Sequence, residues 1–222
     1  MAKGFFISIE GPDGGGKSTQ TNLLCTRLRE VGRTVLQTRE IGGTPEAETI
    51  RDLVVRQSGG DWLPLSMMTM IGVARYEHTE RKIKPALARG EIVVSDRYAD
   101  STYVYQVFCG HNKIDDYNQL TAMTLGNFGP DLTLILDVDP ATSVQRIQHG
   151  AKQAQVHIKP GERSDDRFEA HGADLQRRTR EGYLAIAAAH PERCVVIDAT
   201  QSVEKVAEKL WAVVEQRINA RG

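Results

Sequence analysis

The sequence predicts an α/β fold, a doubly wound five-stranded parallel sheet with flanking helices. Three observations carry that expectation. Five short β-rich runs recur along the 222 residues, most of them nearly continuous apolar stretches, as strands covered on both faces must be. Helical patterns separate these runs, the alternation of parallel strands with crossover helices. A glycine-rich turn lies between the first run and the first helical pattern, at the carboxyl end of a strand where such sheets bind ligands.

In chain order, FFISIE (Phe5–Glu10) reads as the first strand, and GPDGGGKSTQ (Gly11–Gln20) as a turn entering a helix with Leu24, Leu28 and Val31 on one side. TVLQTRE (Thr34–Glu40) is the second strand, followed by a helical pattern from about Leu65 towards Ala88. EIVVSDR (Glu91–Arg97) is the third strand, and Tyr117–Leu125 the next helix. LTLILDVD (Leu132–Asp139) is the fourth, after which Pro140 suits the first turn of a helix over Ala141–Gln148. A helix over Ala173–Ala189 leads to the fifth strand, CVVIDA (Cys194–Ala199). The last helix, Val203–Ile218, sets Val206, Leu210, Val213 and Val214 on one face. One segment, residues 149–167, breaks the alternation: it is polar, carries Lys152, Lys159 and Arg163, and holds Pro160-Gly161 as a breaker. Composition alone suits a solvated surface loop equally well, but beside a phosphate site a basic segment of that length is expected to be a mobile lid; residues 1–222 otherwise read as a single domain.

Composition narrows the class. The 28 basic and 29 acidic side chains nearly cancel, so neither a nucleic-acid nor a membrane surface is expected. Three widely spaced cysteines, Cys25, Cys109 and Cys194, lack metal-ligand spacing and read as free thiols of a reducing compartment. The apolar stretch Phe5–Ile9 is too short for a signal-peptide core, and no run approaches a membrane span, so a cytoplasmic location is expected.

The spacing Gly11-x-x-x-x-Gly16-Lys17-Ser18 is that of a phosphate cradle. Its glycines let backbone N–H groups turn inward on an anion, Lys17 adds a mobile charge at the outer phosphates, and Ser18 can hold magnesium. A nucleoside triphosphate is therefore implied. Asn112-Lys113-Ile114-Asp115 has the letters of a guanine-recognition motif but does not close a buried strand; Asp115 reads instead as a helix N-cap. The third strand ends in VVSDRY, placing Asp96 where it can position magnesium through water and Arg97 in the same crevice. The natural partner of such an arginine is a second phosphate group. Two phosphate holders point to a nucleoside monophosphate kinase.

At these residues the chain resembles the thymidylate kinase family, through GPDGGGKSTQ, TREIGGTPEAETIR, IKPALARGEIVVSDRY, STYVYQ, PDLTLILDVDP, SDDRFE and VIDAT. The resemblance covers nearly the whole chain and implies a P-loop nucleoside monophosphate kinase fold. It also implies ATP-dependent, magnesium-dependent phosphorylation of dTMP to dTDP, usually by a homodimer. By position it implies ATP contacts at Gly11, Pro12, Asp13, Gly14, Gly15, Gly16, Lys17, Ser18 and Thr19, with Arg146 and the Asp198-Ala199 turn flanking adenine. It implies metal contacts at Ser18 and Asp96. For dTMP it implies Asp13 near sugar or phosphate, Arg97 on the phosphate, Arg75 on a base carbonyl, and Ser101, Thr102 and Gln106 along base and sugar. Tyr105 would pack where a ribose 2′-OH would sit, and Arg39 and Glu40 would lie near the acceptor.

The chain departs from the family pattern at four places. Gly14 stands where some members carry a catalytic arginine, so that charge is expected from the lid, from Arg163 and Arg167, alongside Lys17 and Arg97. The lid is longer than usual, and Ile41 stands where TREPGGT has proline. Ile71 and Gly72 replace an aromatic pair, the first of which stacks on thymine. An enlarged base pocket is expected from that change, which keeps open a same-fold kinase for another deoxynucleotide such as 5-hydroxymethyl-dUMP. A nucleoside kinase would need a carboxylate base, for which Glu10 is the candidate. A non-catalytic ATP-binding regulator would need no second phosphate site.

Overall fold

The structure, a computed structural model, describes residues 4–55, 61–155 and 172–220. Five parallel strands form one sheet: β1 (Phe5–Glu10), β2 (Val35–Arg39), β3 (Ile92–Asp96), β4 (Leu132–Asp137) and β5 (Cys194–Asp198), in the order β2-β3-β1-β4-β5. The expected sheet is present, each strand within the run that predicted it. Every residue of central β1 is buried, whereas edge strands β2 and β5 keep partly exposed positions. The continuously apolar runs are therefore those hydrogen-bonded and covered on all sides.

The period-two pleat sorts the core into two layers. Phe5, Ile7 and Ile9 meet Leu24, Leu28, Val206, Leu210 and Val214 from α1 (Lys17–Glu30) and α9 (Val203–Asn219). Phe6 points to the opposite face, against Ile83, Ala86, Val93 and Tyr98. Glu10 shares the Phe6 face by the same alternation, which aims a carboxylate into the protein.

The remaining helices are α2 (Pro45–Val55), α3 (Pro64–His78), α4 (Lys84–Ala88), α5 (Ala99–Thr102), α6 (Ile114–Thr124), α7 (Pro140–Gln155) and α8 (Ala173–Ala189). Several differ from expectation. The helix expected from Leu65 towards Ala88 is interrupted by a π-helical turn, Thr79–Ile83, beside Pro85, which has no N–H for the carbonyl of Arg81. A second π turn, Tyr103–Phe108, continues α5. Helix α7 runs to Gln155, seven residues into the segment read as lid; the rest of that lid, with Arg163 and Arg167, lies outside the described residues. Lys113, not Asp115, occupies the N-cap of α6, and Asp115 instead supplies negative charge to its first turn. Helix α2 was not expected, although Thr44 caps it (Ala47 N–H to Thr44 Oγ1, 3.2 Å), Pro45 opens it, and Glu46 and Glu48 fill its first turn.

Candidate active site

The loop from Gly11 to Gly16 joins β1 to α1 with positive φ at Gly11 (136°), Gly14 (75°) and Gly16 (87°). Those angles are nearly closed to side-chain-bearing residues, so the glycine content is a backbone requirement. No acid lies in the first turn of α1, whose unpaired N–H groups leave a positive end suited to an anion. Lys17 folds back over the loop and donates to the carbonyls of Gly11 (3.1 Å) and Pro12 (2.8 Å), with Asp13 Oδ1 3.7 Å away. Burial, reinforced by the neighbouring Arg97 charge, pushes the Lys17 ammonium down to about 8, against the opposing pull of Asp13, Asp96 and Glu10.

Ser18 donates to Asp96 Oδ2 at 2.6 Å. Two hard oxygen donors thus meet beside the phosphate loop, a set that suits magnesium when phosphates and water complete its shell. Among the described residues no group of three or more His, Cys, Asp or Glu side chains is gathered to cage a metal. The fit is to an ion arriving with a nucleotide.

Asp96 closes β3 in register with Ile9 and Arg39, and Arg97 follows with φ 69°. The Arg97 guanidinium is held from all sides. Its Nη1 donates to Tyr183 Oη (2.9 Å), Ser101 Oγ (3.0 Å) and the Gly11 carbonyl (3.3 Å); its Nη2 donates to Asp13 and to Tyr105 Oη (3.2 Å). The Tyr105 hydroxyl in turn donates a hydrogen bond to Asp13 Oδ2 at 3.1 Å. Burial pushes the Asp13 carboxyl up, but the Arg97 and Lys17 charges and these hydrogen bonds outweigh it and hold the group below its ordinary value. Glu10 accepts from the Tyr98 N–H (2.6 Å), Ser101 Oγ (2.7 Å) and Tyr183 Oη (3.0 Å). Burial and the nearby Asp100 charge push it up to about 7. Glu10 is fully buried and does not line the cleft, so it is a bracket behind Arg97 and has no access as a base.

One cleft of about 510 Å³ gathers most of the predicted residues, Gly11, Pro12 and Gly15 of the loop lying behind its lining. Asp13, Gly14, Gly16, Lys17, Ser18, Thr19, Asp96 and Arg146 line its phosphate-loop end; Arg39, Glu40, Ile71, Arg75, Arg97, Ser101, Thr102, Tyr105 and Gln106 line the rest. Asp198 and Ala199 stand apart from it. Asp198 accepts from Thr200 and Gln201 within its own turn, while the Ala199 carbonyl receives Arg146 Nη2 at 3.0 Å. The sequence reading missed Ile41, Arg51, Val55, Tyr98 and Ile147 as lining. Arg51 had a signal, since it closes the quoted motif TREIGGTPEAETIR and reaches the Ile41 carbonyl at 2.9 Å. Tyr183 had none.

Two departures acquire physical reasons. A Cβ on Gly14 would sit 2.6 Å from the Ser143 carbonyl and 3.3 Å from Ile147, so α7 packs where a side chain would emerge. Gly72 does not contribute the expected enlargement of the base pocket. Gly72 faces α6, where a Cβ would stand 2.9 Å from Leu120 Cδ2; Leu120 fills the volume, and only Ile71 reaches the cleft.

A phosphate loop on the first strand, and a buried arginine across the same cleft at the end of the third, define a P-loop protein with two anion-holding points. The family model described as Thymidylate kinase matches residues 9–210. A thymidylate kinase of Caulobacter vibrioides is 42% identical over 218 residues, covering 98% of this chain and 99% of that one. One from Bifidobacterium longum is 39% identical, covering 97% of each. The crystal structure of thymidylate kinase from Ehrlichia chaffeensis superposes with a TM-score of 0.74 at 30% identity, covering 96% of this chain and 99% of that one. The chain belongs to the thymidylate kinase family.

Proposed function

We infer that this protein transfers the terminal phosphoryl group of ATP to dTMP, giving dTDP and ADP. The observation that carries the reading is the continuity of one cleft from Lys17, Ser18 and Asp96, through Arg97, to Arg75 and Ile71. A monophosphate oxygen is already ionised at neutral pH, so the reaction needs alignment and charge neutralisation and no general base. Arg97, pre-oriented by Tyr183, Ser101 and Asp13, binds and aligns the acceptor phosphate. Lys17 and the backbone of Gly11–Thr19 hold the donor phosphates. Ser18 and Asp96 hold magnesium, which neutralises phosphate charge when bound. Arg146, which lines the phosphate-loop end of the cleft and is anchored by the Ala199 carbonyl, packs against the adenine. Further positive charge comes from Arg163 and Arg167, beyond the described residues.

At the other end Arg75 binds a carbonyl of the base, Ile71 packs on the ring, and Thr102 and Gln106 line the remaining edge. Tyr105, anchored by Asp13 and Arg97, occupies the 2′ side of the sugar and favours deoxynucleotides. Leu120 filling the space beside Gly72 favours dTMP over a pyrimidine with a larger 5-substituent. A homodimer is the assembly we propose. Leu53 of α2, Leu65, Val73 and Tyr76 of α3, and Ile114 and Met123 of α6 are exposed apolar side chains on helices that pack on one another, a surface that suits a second copy.

ADP release measured over a panel of nucleoside monophosphates tests the reading. Turnover is expected with dTMP, weaker with 5-hydroxymethyl-dUMP, and lost with UMP. Binding of ATP without turnover on any monophosphate would overturn it in favour of a regulator.

A further inference from the structure

Arg75 is not free to point anywhere. A chain of buried side chains crosses the floor of the base end of the cleft: Thr38 Oγ1 lies 2.7 Å from His78 Nε2, His78 Nδ1 lies 3.4 Å from Glu40 Oε1, and Arg75 Nε donates to Glu40 Oε2 at 2.7 Å. Arg75 Nη2 then donates to Thr102 Oγ1 at 2.6 Å. All five residues are buried, His78 completely. A carboxylate can only accept, so the proton facing Glu40 sits on Nδ1, and Nε2 is left to the Thr38 hydroxyl.

The backbone is built around this histidine. Gly43 has φ 93°, and a Cβ there would stand 2.4 Å from His78 Nε2 and 2.8 Å from Thr38 Oγ1. Lys82, in the π turn that follows His78, ties the same loop by donating to the Gly43 carbonyl at 2.8 Å. His78 and Arg75 lie three residues apart on α3, on one face, so Glu40 can reach both. With Nε and Nη2 engaged, Nη1 is the Arg75 nitrogen without a hydrogen-bond partner among the described residues, on a side chain that lines the cleft.

We propose that His78 is a positioning residue for base recognition: through Glu40 it holds the Arg75 guanidinium so that Nη1 meets an oxygen at the 4-position of the acceptor pyrimidine. The inference rests on the dTMP kinase reading above. An N–H fixed there donates to a 4-oxo group and opposes a 4-amino group, which is also a donor. Loosening the guanidinium weakens the first contact and relieves the second. His78 therefore sets discrimination between 4-oxo and 4-amino pyrimidines without touching either.

The test is steady-state kinetics of the full chain with dTMP and 5-methyl-dCMP, which differ at the 4-position and the N3 proton but share the 5-methyl group. In His78→Leu the KM for dTMP should rise about tenfold, the scale of one hydrogen bond to a charged group, with kcat nearly unchanged. The dTMP preference over 5-methyl-dCMP in kcat/KM should narrow by about tenfold as well. His78→Asn keeps an amide donor towards Glu40 and should restore most of that preference, and the KM for ATP should not move in either variant. A merely structural histidine would lower Tm and kcat together and leave the preference intact. Wild-type preference in His78→Leu, or equal loss in the Leu and Asn variants, overturns the proposal. Should His78→Leu not fold, Thr38→Val removes the hydroxyl that orients the ring, and an unchanged preference there overturns it equally. Absence of dTMP turnover in the wild-type protein would instead remove the kinase reading itself.

Discussion

Replacing Lys17 with methionine should make the nucleotide-free protein more stable while removing its activity. The ammonium is taken from an ordinary 10.5 to about 8 by burial and by Arg97. At roughly 1.4 kcal/mol per pKa unit, keeping this group charged in the fold costs about 3 kcal/mol. Methionine fills similar volume without the charge, and Asp13 keeps its Arg97 partner. Loss of the two carbonyl hydrogen bonds and of the 3.7 Å contact with Asp13 offsets part of the gain. A net stabilisation of about 1–3 kcal/mol at pH 7 is expected. For a chain of this size that is a rise in Tm of about 2–12 °C. The sign with pH follows from linkage. The lysine binds its proton more tightly in the unfolded chain, so the penalty is complete below about pH 8, diminishes as pH rises, and is gone above 10.5. The wild type should therefore gain on Lys17→Met between those limits. Calorimetry of both proteins at pH 7 and pH 9.5 reads this directly. Kinetically, kcat/KM for ATP should fall above about pH 8 as free Lys17 loses its proton. The decline in kcat should come later, because bound phosphates raise the lysine pKa. A methionine variant no more stable than wild type at pH 7, or a stability gap that does not change with pH, would refute the reasoning.

Two other substitutions address the departures from the family pattern. Gly14→Arg should not supply a catalytic charge: a left-handed residue costs about 1–3 kcal/mol, and the Ser143 carbonyl obstructs its Cβ. Lower Tm and lower kcat are expected, and raised kcat at unchanged Tm would contradict it. Gly72→Tyr should overpack against Leu120, destabilising by about 1–3 kcal/mol in urea titration. The ratio of kcat/KM for dTMP and 5-hydroxymethyl-dUMP should stay close to wild type, and a large change in that ratio would return Gly72 to the pocket wall.

The parts of this protein legible in its residues are those governed by short-range rules. The five strands follow from runs such as FFISIE and LTLILDVD, because burial on both faces demands continuous apolar character. The phosphate loop follows from Gly11, Gly14 and Gly16, because positive φ and inward N–H groups are local backbone properties. The placement of Asp96 and Arg97 beside Ser18 follows once their strands pair, since the carboxyl ends of adjacent parallel strands share a crevice. Thr44, Pro45 and two early glutamates signal helix α2 as well, but its 11 residues give too short an amphipathic pattern to stand out by periodicity.

What sequence could not supply depends on side chains meeting across long separations. Gly72 is empty in the sequence and filled in space, because Leu120, forty-eight residues on, packs into it. Gly14 and Ser143 meet across 129 residues, and Tyr183 reaches Arg97 and Glu10 from a helix whose pattern says only that it is amphipathic. His78 reads as one more polar residue among Glu77, Thr79 and Glu80 until the fold buries it between Thr38 and Glu40. Periodicity specifies which face of an element turns inward; which side chain it then meets is decided by how the elements pack, and that contact determines where a buried donor must point.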